Sequence, residues 1–148
     1  MMRSLSAACA MVVALGLAAQ PALASTPGTE TFVLLRAADG SEFGWSASGQ
    51  FSDAGAWTSD FRRSGALPSP VAFQTVLKTT ETSSAGSFGL AFQGHVNAPA
   101  GHDFGGTWSV GAGTGGYATL QGTGTWTLSV DFNTGIRTFT LTGDVHFD

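Results

Sequence analysis

From residue 30 onward, apolar and polar residues alternate with a period of two, the pattern of β-strands that bury one face. Residues 30–36 centre on Phe32, Val33 and Leu34, and in residues 42–49 Phe43, Trp45 and Ala47 share one parity. Residues 87–96 place Phe88, Leu90, Phe92 and Val96 on one face. Residues 136–147 place Phe139, Leu141, Val145 and Phe147 on one face, with Thr138, Thr140, Thr142, Asp144 and His146 on the other. Residues 71–80 form a further strand, and residues 51–61 a less regular one that holds Trp57 and Phe61. No segment after residue 24 carries a helical period.

The stretch from Phe104 to Phe132 organises the rest. Gly106-Thr107-Trp108 and Gly124-Thr125-Trp126 each open an alternating run, Trp108/Val110 and Trp126/Leu128/Val130/Phe132. The shared phase predicts that Trp108 and Trp126 are buried on the same side. Between the copies lies a glycine-dense connection around the single tyrosine, Tyr117. Asp39-Gly40 and Asn133-Thr134-Gly135 are turn signals, and residues 80–86 read as a polar turn. Residues 62–70, with Gly65, Pro68 and Pro70, and residues 97–106, with Pro99, Gly101 and Gly105, read as loops. Turn signals recur about every 8–14 residues, which suits a single antiparallel β-barrel or a β-sandwich with one enclosed interior. The glycines inside strands, Gly89, Gly94 and Gly143, are expected at bulges or sharp bends.

The N-terminus reads as a targeting segment. Met1-Met2-Arg3 precedes an apolar run from Leu5 to Ala19, and Ala22-Leu23-Ala24 is a small-x-small cleavage signal. Cleavage after Ala24 leaves one domain over residues 25–148 and places the protein outside the cytoplasm, extracellular or periplasmic. The apolar run is short for a membrane span, so no membrane partner is expected once it is removed. The one cysteine, Cys9, lies within the signal. The mature domain therefore has no disulfide, thiol nucleophile or thiolate metal ligand. The net charge of −4 and the lack of clustered cations beyond Arg62-Arg63 argue against a nucleic-acid partner.

Gly86-Ser87-Phe88, Gly106-Thr107-Trp108-Ser109-Val110, the run from Gly113 to Gly122 and the closing Asp144-Val145-His146-Phe147-Asp148 occur in that order. Over about residues 86–148 the chain resembles a bacterial secreted family of unknown function, whose barrel is grouped with allene oxide cyclase and the plant dirigent proteins. The resemblance implies an eight-stranded antiparallel barrel, allene oxide cyclase-like or calycin-like, around an apolar cavity. It implies no activity, and no functional side chain transfers to a position here.

No catalytic motif stands out. Gly111 to Gly116 fits G-x-G-x-x-G, but no helix can follow over residues 117–122, so it reads as a glycine-shaped turn and no cofactor is expected. Gly44-Trp45-Ser46-Ala47-Ser48-Gly49 has one residue too many for a nucleophile elbow. His95 and His146 fall on polar parities, and His102-Asp103 lies in a loop. Nothing in their spacing demands a metal, and none is assigned. The carboxylate pairs Asp53/Asp60 and Asp131/Asp144 are candidates for acid/base work, with solvated surface acids as the simpler reading.

The aromatics carry more information. Phe43, Trp45, Phe88, Phe92, Trp108, Trp126 and Phe139 share the interior parity of their strands. Eight strands allow a filled core or a cavity for one small ligand. The candidate ligand-binding residues are Trp45, Phe92, Trp108, Tyr117 and Trp126, with Tyr117 near a mouth. The expectation is an exported, non-catalytic barrel that binds a small apolar molecule. The alternatives are a cyclase- or isomerase-type enzyme with a buried polar group of shifted pKa, and a structural or adhesive secreted module. Oligomeric state is not legible.

Overall fold

The computed structural model describes residues 25–66, 72–97 and 103–148, with the backbone alone at 61–66, 72–78, 95–97 and 103–104. The expected cleavage signal, residues 67–70 and 98–102 of the two expected loops, and with them His102, lie outside the described residues. Eight strands follow one another: β1 (Gly28–Arg36), β2 (Glu42–Gly49), β3 (Ser52–Ala66), β4 (Ala72–Ser83), β5 (Gly86–Asn97), β6 (Asp103–Gly115), β7 (Leu120–Val130) and β8 (Arg137–Phe147). Each pairs antiparallel with the next, and β1 pairs with β8 from Gly28↔Val145 to Arg36↔Arg137, so the sheet closes into a barrel in chain order. Closure gives every strand a neighbour on both sides, although β2 pairs with only the first four residues of β3.

Several strands run further than their apolar pattern indicated. β3 continues through Arg62 and Arg63, which pair with Val76 and Thr75, so residues 62–66 of the expected loop are strand. β4 reaches Ser83, and the polar run 80–86 is strand except for a two-residue turn at Ser84-Ala85. β6 starts at Asp103 and runs to Gly115, so the glycine-rich stretch after Val110 is extended strand, and the turn follows at 116–119. Backbone hydrogen bonding holds these polar and glycine-rich segments in the ladder. The short turns are as expected: Gly40 and Gly135 sit at φ 91° and 73°, a region glycine enters without penalty.

The interior is aromatic. Phe32, Trp45, Trp57, Phe88, Phe92, Trp108, Trp126 and Phe139 are all buried, and Trp108 and Trp126 face inward together as their common phase requires. Phe43 is the exception: the β1–β2 register shifts between Leu35↔Gly44 and Arg36↔Glu42, so Phe43 is left unpaired at a bulge and is 51% exposed. Rings from opposite walls touch. Phe32 of β1 meets Phe88 of β5 at a centroid distance of 5.7 Å, and Trp57 of β3 meets Phe139 of β8 at 6.1 Å. At these levels the barrel is packed with rings, in the edge-on and tilted arrangements aromatic pairs favour.

Each indole also spans the wall. Trp45, Trp57 and Trp126 donate their Nε1–H to the carbonyls of Thr82, Leu35 and Gln93, each two strands away, and Trp108 donates to Thr125 on the adjacent strand. The indoles need flat ground on the way. A methyl at Gly94 would lie 2.5 Å from Trp126, one at Gly124 2.7 Å from the Trp108 indole nitrogen, and one at Gly55 2.9 Å from that of Trp45. Gly94 and Gly143, expected at bulges, instead pair in regular register with Gly106 and Gly124. Only Gly89 marks an irregularity, between Phe88 and Leu90.

Candidate functional site

Three acidic side chains gather toward the barrel end formed by the start of β3, the end of β4 and the β6–β7 turn. Glu81 is the deepest. It has the inward parity of β4, where Trp57 is its cross-strand partner on one side and Phe88 on the other, and it has no solvent exposure. The buried Thr79 hydroxyl donates to Glu81 Oε1 at 2.5 Å. Oε2 is buried and has no hydrogen-bond partner among the described residues. Burial among rings disfavours the charged form and pushes the Glu81 pKa up to about 8, against the smaller opposing effect of the Thr79 bond.

Two residues further along β4, Ser83 reaches the mouth. Its hydroxyl donates to Asp53 Oδ2 at 2.5 Å, and the Tyr117 hydroxyl donates to the same oxygen. The Ala54 N–H, at 2.7 Å, bonds Asp53 Oδ1. The Ser83 and Tyr117 bonds hold the Asp53 carboxyl below the usual carboxylate range. Burial, and then the bond to Asp53, push Tyr117 up to about 12.

Tyr117 is placed by the turn that carries it. The turn closes with Tyr117 N–H to Thr114 O at 3.1 Å and Gly116 N–H to Ala85 O at 2.8 Å. Gly113 lets the Tyr117 backbone lie close, since a Cβ there would fall 2.0 Å from the Tyr117 carbonyl. The ring then folds over the mouth, 4.8 Å from Phe88 and 5.7 Å from Phe51. Phe51 is fixed in turn by Glu30, a fully buried carboxylate on β1 that accepts the Phe51 N–H at 2.9 Å and the Thr31 N–H at 3.1 Å.

Of the five residues read as ligand-binding, Trp45 and Tyr117 both pack on Phe88, the ring beside Glu81. Phe92 and Trp126 pack with Phe139 toward the other end, and Trp108 packs on Phe32. The carboxylate pairs read from the sequence do not form. Asp53 turns inward while Asp60, of opposite parity on the same strand, is exposed. Asp131 caps its own turn through Asn133 and Thr134, at the far end of β8 from Asp144, which accepts from Thr29. His146 pairs outside the lumen with Asp148 at 3.2 Å, and the His95 side chain lies outside the described residues. Among the described residues no group of three or more His, Cys, Asp and Glu side chains is placed to hold a metal ion.

Glu81, Thr79 and Glu30 are the residues sequence reasoning missed. Glu30 shares the parity of Phe32 and Leu34, and Glu81 lies on the odd positions of its strand. The polar run Thr79 to Ser84 looks like a turn unless that parity is carried through it. Compared with protein-family models, curated proteins and solved structures, the chain matches none.

Proposed function

We propose that the protein is an exported β-barrel that binds a small, largely apolar molecule beside Glu81, at the end covered by Tyr117. One observation carries this reading: a carboxyl group sits inside an aromatic wall with one oxygen unpartnered among the described residues. Orphaned buried polar groups cost stability and concentrate at functional sites. The lining, apolar with a few converging polar groups, is that of a small-molecule site. Because rings fill the barrel beyond Phe32 and Phe88, the molecule is small and takes the space of the Tyr117 ring. Tyr117 is carried on the 116–119 turn and Phe88 on a strand, so the Tyr117 ring is the side of the lining that yields to the molecule. The resemblance of residues 86–148 to barrels with an apolar cavity fits this reading.

Export is supported by residues 1–24 together with the place where the ladder begins. Ser25 donates its N–H to Phe147 O at 2.7 Å and accepts the Phe147 N–H on Oγ at 2.8 Å, so the domain is anchored from the residue after the cleavage signal. N-terminal sequencing of secreted protein should begin at Ser25. For binding, tryptophan fluorescence and amide chemical shifts would be followed against a panel of small apolar molecules. Shifts at Phe88, Trp45 and the 116–119 turn are expected, and an unchanged spectrum across the panel would remove the binding reading.

A second reading, an isomerase- or cyclase-type enzyme on a small apolar substrate, is favoured by the same carboxyl. A group held near pH 8 exchanges its proton close to neutrality, as general acid/base work requires. It requires that a turned-over substrate lose all rate enhancement in Glu81→Leu.

A further inference from the structure

The binding reading leaves open what Glu81 recognises, and the surroundings of its two oxygens decide it. Oε1 accepts the Thr79 hydroxyl at 2.5 Å, much closer than the Leu90 carbonyl that the same hydroxyl approaches at 3.4 Å. A carboxyl that accepts on one oxygen and lies among Trp57 and Phe88 keeps its proton on the other, Oε2. Oε2–H is then a buried donor on a side chain flanked by Trp57 and Phe88, without a partner among the described residues. No cationic side chain lines this end among the described residues. Arg36 lies at the other end of the barrel, bonded to Gly40 O and beside Glu42.

We propose that the molecule bound beside Glu81 is uncharged and carries a hydrogen-bond acceptor, a ketone, aldehyde, ester or ether oxygen, which receives the Oε2–H of Glu81. This rests on the binding reading and narrows it to one ligand class. A carboxylate ligand would bring a third acid beside Asp53 and Glu81 with no cation among the described side chains to meet it. A pure hydrocarbon would bury Oε2–H without a partner. An organic cation would find aromatic faces but would need Glu81 ionised where burial favours its neutral form. The Glu81 proton is held up to about pH 8, so the donor persists across neutral pH.

The other titratable groups at this end do not follow the same profile. Asp53 is held low by Ser83 and Tyr117, and Tyr117 titrates only at about 12. Glu30 accepts two backbone N–H groups and is common to every variant below.

The test uses the full chain, isotopically labelled, in amide chemical-shift titrations with four probes of one shape: acetophenone, α-methylstyrene, benzoate and phenyltrimethylammonium. Acetophenone and α-methylstyrene differ only in C=O against C=CH2. Acetophenone is expected to bind tighter than α-methylstyrene by roughly tenfold at about pH 6, with the preference fading above about pH 8 as the donor is lost. Glu81→Gln keeps an N–H donor and should keep the preference at every pH, whereas Glu81→Leu should lose it. Near-ultraviolet circular dichroism checks that each variant is folded. If Glu81→Leu does not fold, the pH-independence of Glu81→Gln decides.

Equal affinity for acetophenone and α-methylstyrene overturns the acceptor proposal while leaving the binding reading in place. Tightest binding of benzoate or of the ammonium probe overturns it in favour of the opposite charge class. Persistence of the preference in Glu81→Leu removes Glu81 from the site. No shift with any probe up to about 10 mM overturns the binding reading itself.

Discussion

The Tyr117 hydroxyl donates to Asp53 Oδ2, tying the β6–β7 turn to β3 across the mouth of the barrel. The two residues are far apart in the chain and on different sides of the lumen. Their bond, with Ser83 donating to the same oxygen, joins β3, β4 and the β6–β7 turn through side chains at this mouth. It sits directly above Phe88, the ring beside Glu81.

Tyr117→Phe keeps the ring on Phe88 and Phe51 and removes only the bond. A hydrogen bond to a charged group contributes about 1.5–3 kcal/mol, and partial solvent access at Asp53 lowers this to about 1 kcal/mol. Urea unfolding should show that loss at neutral pH with an unchanged slope. The lowered Asp53 pKa means its contribution is present above the ordinary carboxylate range and lost as pH falls through the folded value. The raised Tyr117 pKa means its contribution is present below the ordinary tyrosine value of 10.0 and lost as pH rises toward about 12. Wild type and Tyr117→Phe should therefore differ on a plateau between these limits and converge at both extremes.

Glu81 acts in the opposite sense to a paired acid. Its folded pKa is raised from 4.5 to about 8, so between those values the folded state holds a proton the unfolded state has released. Wild-type stability should fall as pH rises from about 4.5 to about 8 and level off beyond, by up to a few kcal/mol. Glu81→Gln should abolish that slope. A flat wild-type profile over the same range would show that the carboxyl is solvated in solution.

Trp126→Ala and Trp108→Ala each remove a buried ring and an indole bond that spans the wall, and each should cost about 3–5 kcal/mol. A typical domain has about 5–15 kcal/mol of stability, so either variant should accumulate poorly on expression. An unchanged unfolding midpoint for Trp126→Ala would contradict the inward placement of its strand.

Gly94→Ala tests the flat ground beneath Trp126. Its methyl would fall 2.5 Å from the Trp126 ring and 2.4 Å from Gly105 O, so indole and strand must both shift. Overpacking of this kind costs about 1–3 kcal/mol. The Trp126 indole N–H resonance, bonded to Gln93 O, should move in Gly94→Ala and stay in place in an exposed control such as Thr123→Ala.

What the sequence determined by itself was everything that a period of two can encode. The inward faces of β1, β2, β5, β7 and β8 follow from alternation, because one apolar face per strand must be buried and the pleat allows only one parity. Antiparallel order followed from short turns such as Asp39-Gly40, which cannot cross a sheet. Phe43 shows where this logic stops, since a bulge in the β1–β2 pairing inserts one residue and breaks the parity that the sequence pattern assumes.

Only the tertiary structure decided the polar interior. Asp53, Ser83 and Tyr117 lie on three elements that are distant in sequence, and barrel closure with its particular register brings them to one oxygen. Glu81 sits in a run of threonines and serines with no apolar neighbour to reveal its parity, and its burial comes from Trp57 and Phe88 on the flanking strands. The glycines under the indoles were equally silent. A strand glycine reads as a weak point until the ring that crosses it is known, and that ring arrives from another strand, set by hydrogen-bond register that no local pattern records.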